Sequence, residues 1–232
     1  MKSRKEIKAL AKVALSEQRS TAILLVLVYI LATIASVALD FLVSTMFGQG
    51  VLYWVVFTVG LLILYVIVIN LLGEFFKIYR RENATVGRLF TGLKVNFMRK
   101  LGGTLWVWLW LILWSLLFII PGIVKACAYF FTLNILAVHP NVTARQALRI
   151  SMRITQGHKK DIFVFILSWF GWGLLSILTL GVLYIVYVGP YFYTADGGLF
   201  LELRDKALAE GRITREELGM EEDRKQQYEQ QS

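Results

Sequence analysis

Residues 21–39 and 51–72 carry no charged side chain over nineteen and twenty-two positions, and charge-free runs of that length limit the folds open to this chain more than any other feature. About 20 apolar residues in an α-helix cross the roughly 30 Å hydrocarbon core of a bilayer, with every backbone N–H and C=O bonded inside the helix. A third run, 104–138, holds thirty-five residues with Lys125 as its only charge. As one helix it would be about 52 Å long, too long to cross once. Pro121 and Gly122 near its middle supply a break, because proline removes a helix donor and glycine accepts turn dihedrals. The run 162–203 divides similarly near Leu180-Gly181. The sequence therefore predicts an all-α, polytopic transmembrane helical bundle of about six spans in three hairpins, at 21–39, 51–72, 104–120, 123–138, 162–180 and 182–203. The arms of the 104–138 hairpin are short, and a re-entrant pair that enters and leaves on one side is the alternative.

Composition agrees. The chain is 57% hydrophobic and 18% charged, against about 45–50% and 25% for soluble domains. Its formal net charge of +9 does not point to nucleic acid, because the cations flank apolar segments and form no single patch. Attraction to anionic lipid headgroups is the expected partner chemistry. The single cysteine, Cys127, has no partner within the chain, which excludes an internal disulfide framework. Ser36-Val37-Ala38 resembles a signal-peptide cleavage site, but the apolar run before it is too long for one, and a retained first span is expected. Asn83-Ala84-Thr85 and Asn141-Val142-Thr143 match the glycosylation pattern by chance, since both fall in loops expected on the cytoplasmic side.

Basic residues favour the cytoplasmic side. With six spans and the N-terminus inside, all of the 25 Lys and Arg except Lys125 fall inside, and both termini are cytoplasmic. Each hairpin also follows a basic amphipathic segment. In 1–20, Ser3 and Glu6 form a capping box, and Ile7, Leu10, Ala11 and Ala14 share a face opposite Lys5, Lys8 and Lys12. Thr85 caps a helix carrying Val86, Leu89, Phe90, Leu93 and Phe97. Thr143 and Gln146 cap a third, in which Arg145, Arg149 and Arg153 recur every four residues and Gly157 is the stop. That stripe, extended by Lys159 and Lys160, is the candidate contact for anionic headgroups. The remaining 204–232 form a charged cytoplasmic tail, in which Gly211 stops a helix and Thr214 with Glu217 starts another.

No soluble-style catalytic motif and no metal-ligand spacing occurs, and no cofactor is expected. His139 and His158 sit at segment ends, where capping of helix carbonyls is the expected role. Polar groups inside the spans carry more information, because a mid-membrane carboxylate costs about 2.5–3.5 kcal/mol. Asp40 and Lys125 are expected to pair near the outer surface. Asn70, Asn134 and Asp196 lie at comparable depth near the inner ends of spans two, four and six, with Tyr187 and Tyr191 also on span six. They are the candidate intramembrane polar cluster, lining either a cytoplasm-open cavity or a set of interhelical hydrogen bonds. Gly189-Pro190 and Gly197-Gly198 imply an unwound sixth span. Trp106, Trp110 and Trp114 form a stripe on span three, for which packing is the default.

Several stretches resemble the bacterial polytopic membrane family catalogued as domain of unknown function 975. They are Lys2-Ser3-Arg4 with Ile7-Lys8, residues 119–126 around Pro121-Gly122, Gly157-His158-Lys159 with Asp161, Gly171-Trp172, and 178–181. More distantly the chain is similar to the membrane domains fused to glycerophosphodiester phosphodiesterases. The Asp196-Gly197-Gly198 tract and the charged tail depart from the pattern. The resemblance implies a bacterial plasma-membrane protein and no particular reaction. The expected function is non-enzymatic: a structural, interaction or envelope-maintenance role, with a membrane-protein partner or a second copy of the chain. A transporter or exporter using a polar cavity near span six is the alternative.

Overall fold

The structure, a computed structural model, describes residues 4–94, 96–117 and 119–220; Ser3, expected as the first helix cap, and the end of the charged tail lie outside them. The described residues form eleven α-helices: α1 (Arg4–Glu17), α2 (Arg19–Phe47), α3 (Val51–Tyr79), α4 (Arg88–Lys94), α5 (Phe97–Leu117), α6 (Ile119–Tyr129), α7 (Thr132–Val138), α8 (Ala144–Ile154), α9 (Lys159–Leu167), α10 (Phe170–Leu178) and α11 (Gly189–Ala209). A π-helical stretch, Tyr184–Val188, leads directly into α11.

Among the described residues, three helical segments are long and apolar enough to cross a membrane: Arg19–Phe47, Val51–Tyr79 and Lys159–Leu178, while Gly122–Val138 is a shorter apolar one. The first two run 29 residues each, about 43 Å, well past the spans 21–39 and 51–72. Leu31, Ile34, Val37 and Leu42 on α2, Val55 and Val59 on α3, and Leu174, Ile177 and Leu178 on α10 are all exposed. A soluble fold would bury such a set; a bilayer solvates it.

Local chemistry explains most of the breaks. Leu180 and Gly181 both have left-handed φ, 51° and 82°, and the Gly181 N–H returns to the Ser176 carbonyl at 2.8 Å, so the 162–203 run reverses where the glycine permits it. α5 ends at Leu117 and α6 begins at Ile119, ahead of Pro121-Gly122. Pro121 thus sits in the first turn of α6, where the N–H it lacks has no intrahelical acceptor. A second break at Phe130-Phe131 divides the expected 123–138 arm into α6 and α7, with the Phe131 ring fully buried and tilted onto Phe200.

The three amphipathic segments differ. α8 carries the expected capping box between Thr143 and Gln146 and buries Ala147, Leu148, Ile150 and Ile154. α1 buries Ile7, Ala11 and Ala14 and packs along α11, although Leu10 stays exposed. In the second segment the Thr85 N–H goes to Glu74 Oε2 at 2.8 Å, and α4 has only seven residues. It ends before Asn96, whose φ of 54° stops the helix, and Phe90 is exposed.

Candidate functional site

Asp196 on α11 and Asn134 on α7 meet in the interior. The Asn134 Nδ2–H donates to Asp196 Oδ2 at 2.8 Å, and the two residues are 5% and 3% exposed. Asp196 Oδ1 is buried without a hydrogen-bond partner. Around it α11 is shut: Thr194 through Phe200 are all buried. A Cβ on Gly197 would lie 3.4 Å from the Phe76 Cα, and one on Gly198 would lie 2.3 Å from the Tyr79 ring. The two glycines therefore let α11 approach α3 closely, and α11 is continuous through them. The expected unwinding is found instead as the π-helical stretch just ahead of Gly189-Pro190, because proline at the start of α11 leaves a carbonyl one turn earlier without its usual donor.

The other members of the expected polar cluster are elsewhere. The Tyr187 and Tyr191 rings lie tilted against each other at 5.6 Å, Tyr187 tilted against Trp172 at 5.5 Å and Tyr191 edge-on to Trp169 at 4.9 Å, an aromatic seam between the start of α10 and the π-helical stretch with α11. Asn70 serves a different knot. Its Nδ2 donates to the Leu89 carbonyl at 2.8 Å, and its Oδ1 accepts from the buried Lys100 ammonium at 2.6 Å. The ammonium also reaches the Gly92 carbonyl at 3.0 Å. Burial first, and Arg99 second, lower the Lys100 pKa. Next to this knot a polar groove of about 470 Å³ contains Glu74, Lys77, Arg80, Glu82 and Arg88. Glu74 there pairs with Lys77, and Arg80 with Glu82, which neutralises much of the groove's own charge.

Asp40 and Lys125 do not pair. Asp40 lies seven residues inside the end of α2, with Oδ1 buried and unpartnered, because the helix continues to Phe47. Lys125 Nζ instead sits 4.5 Å above the Trp114 ring. Trp106, Trp110, Trp114, Lys125, Arg145 and Arg149 line one groove of about 280 Å³ between α5, α6 and α8. Arg145 lies over Trp106 at 4.9 Å. The sequence expectation separates Lys125 from the arginine stripe by the thickness of a bilayer; the structure brings them together, because α8 packs against the hairpin formed by α5 and α6, with Ser151 and Thr155 donating to the Ala128 carbonyl.

Of the rest of the basic stripe, Arg153 is committed to contacts within the chain. Arg153 bonds Glu217 at 2.8 Å, and Arg212 Nη1 reaches the carbonyls of Arg153, Ile154 and Gln156. Lys159 and Lys160 flank an apolar groove that includes Cys127 and Phe163. His158 lies between Asp161 and Lys206. In the tail, Thr214 and Glu217 cap each other reciprocally, as their spacing implies. Arg99 joins the start of α5 to the α7–α8 turn through the carbonyls of Leu136, His139 and Val142. His139 is 3% exposed. Burial, with Arg204 nearby, lowers its pKa to about 4.

Sequence reasoning passed over Arg99, Lys100 and Arg212 because each reads as one more cation beside an apolar run. Arg99 and Lys100 could have been singled out only by their place immediately before span three, where burial of the start of the helix needs donors for loop carbonyls.

No curated protein and no solved structure matches the chain. Residues 116–207, from the end of α5 almost to the end of α11, match the model of the family described as Protein of unknown function (DUF975); the match includes Asn134, the arginine stripe and Asp196, and the chain is similar to that family over this part.

Proposed function

We propose that the chain is a multi-pass protein of a bacterial plasma membrane that acts by packing and by contact with lipids and partner proteins, without catalysis. α2, α3, the segment Lys159–Leu178, and the π-helical stretch with the first half of α11 make four crossings. The α5–α7 hairpin enters and leaves on the cytoplasmic side. This arrangement keeps both termini inside and adds Lys125 to the cytoplasmic cations, so that all 25 Lys and Arg obey the inside preference. The single observation behind the functional reading is the closed interior: Asp196, the costliest group in the membrane region, is 3% exposed and bonded to Asn134. None of the grooves described above is lined by it. A structural or envelope-maintenance role needs that closure, whereas alternating access needs the site to open. In a Cys127→Ser chain, Asp196→Cys is expected to resist a small water-soluble thiosulfonate from either face. Rapid labelling from one face would overturn the reading in favour of a transporter.

The transporter reading keeps two observations of its own. Asp196 Oδ1 has no partner, and the π-helical stretch beside Pro190 is a form of irregularity common at functional sites. A transporter would lose uptake or export on Asp196→Asn, while a packing protein would keep its abundance and its partners.

A further inference from the structure

The groove between α5, α6 and α8 differs from the groove beside Asn70, whose cations face Glu74 and Glu82, and it gathers one more cation than the groove at Lys159 and Lys160. Lys125, Arg145 and Arg149 line it and no carboxylate does. Two of these cations are held over indole faces, Lys125 over Trp114 and Arg145 over Trp106. Between those rings lies Trp110, whose indole N–H is buried without an acceptor. The next stripe of α5, with Leu109, Leu113 and Leu116, is exposed. A phosphate is the group that answers three cations with no carboxylate among them. An exposed apolar stripe beside them answers acyl chains.

We propose that this groove is a specific site for one anionic phospholipid, with the headgroup phosphate between Lys125 and the two arginines and an acyl chain along the exposed face of α5. The charge complementarity of the groove selects an anionic headgroup over a zwitterionic one. The tryptophans fix its position: Trp106, Trp110 and Trp114 recur every four residues on one helical face, about 12 Å from end to end, comparable to a headgroup and the first part of a chain. The site rests on the membrane assignment and refines it, turning general attraction to acidic lipid into one bound molecule. It also revises the expected headgroup contacts, since Arg153 is held by Glu217.

The full chain, purified from membranes with an equimolar mixture of phosphatidylglycerol and phosphatidylcholine, tests this by native mass spectrometry. One phosphatidylglycerol per chain is expected to survive detergent removal. Lys125→Gln with Arg149→Gln should lower its retention about 25-fold, at about fivefold per cation. Lys5→Gln with Lys12→Gln, two exposed cations outside the groove, should leave it unchanged. If the double variant unfolds, Arg149→Gln alone serves in its place. It removes one cation and should lower retention about fivefold. Equal loss in the control pair, equal retention of phosphatidylcholine, or displacement of the lipid by millimolar inorganic phosphate overturns the proposal. None of these results bears on whether the helices cross the membrane, which cysteine labelling tests separately.

Discussion

Asp196 has an amide on one oxygen and nothing on the other, so the two obvious substitutions around it should behave differently. Asn134→Ala leaves a buried carboxyl with no donor and is expected to destabilise the chain by about 1–3 kcal/mol. Asp196→Asn keeps an amide partner, removes the ionisable group and should be close to neutral. Thermal unfolding in detergent separates the two, and equal losses would contradict the pairing. His139 gives a pH signature. The unfolded imidazole takes a proton near 6.5 and the folded one near 4, so over that window the unfolded chain binds the proton that the folded one refuses. Stability is full above about pH 6.5 and falls as pH drops toward 4, by at most ~3 kcal/mol. His139→Gln should flatten that slope; an unchanged slope would place the titration elsewhere. At this scale the sequence was informative where cost marks a residue. A carboxylate and an asparagine at like depth in apolar runs foretell an internal pair. Asn70 looked like a third member by the same reasoning, but depth along a helix does not fix the direction a side chain faces, and its partner Lys100 comes from beyond a loop.

Helix ends were legible where a single residue type decides them. Thr143 with Gln146 marked the start of α8, and Leu180-Gly181 marked a reversal. Both signals are local, and so survive ignorance of the fold. The Pro121-Gly122 signal located its hairpin to within a few residues but not the reversal itself, because proline is as well suited to the first turn of the following helix as to a break. Packing between helices was not legible, and Gly197-Gly198 is the clearest case: the pair looks like a flexible break and is instead a contact surface for α3. Gly198→Ala is expected to cost about 1–3 kcal/mol, the range for an overpacked core, because its Cβ would lie 2.3 Å from the Tyr79 ring. Gly197→Ala, at an ordinary 3.4 Å from Phe76, should cost less. Urea or thermal denaturation of the two variants in the same detergent would show the ranking, and its reversal would mean that α11 and α3 are not packed in this way. Thr143→Ala, which removes one half of the capping box, should cost about 1 kcal/mol.

Over the whole molecule the charge-free runs identified a helical protein with apolar helices of membrane length, because oil and water sort residues before any tertiary contact forms. The count of crossings depends on contacts that the runs do not encode. Hydropathy assigns Lys125 to an outer turn; its shared groove with Arg145 and Arg149 argues that the hairpin bearing it stays on the arginine side. Parity is the same in both cases, so the positions of the chain ends do not distinguish them, and Lys125 does. In a Cys127→Ser background, single cysteines at Lys5, Gln49 and Lys125 can be exposed to a membrane-impermeant maleimide on intact bacterial cells and again after permeabilisation. The expected result is labelling of Gln49→Cys in intact cells, with Lys5→Cys and Lys125→Cys labelled only once the membrane is opened; labelling of Lys125→Cys together with Gln49→Cys in intact cells would contradict the account.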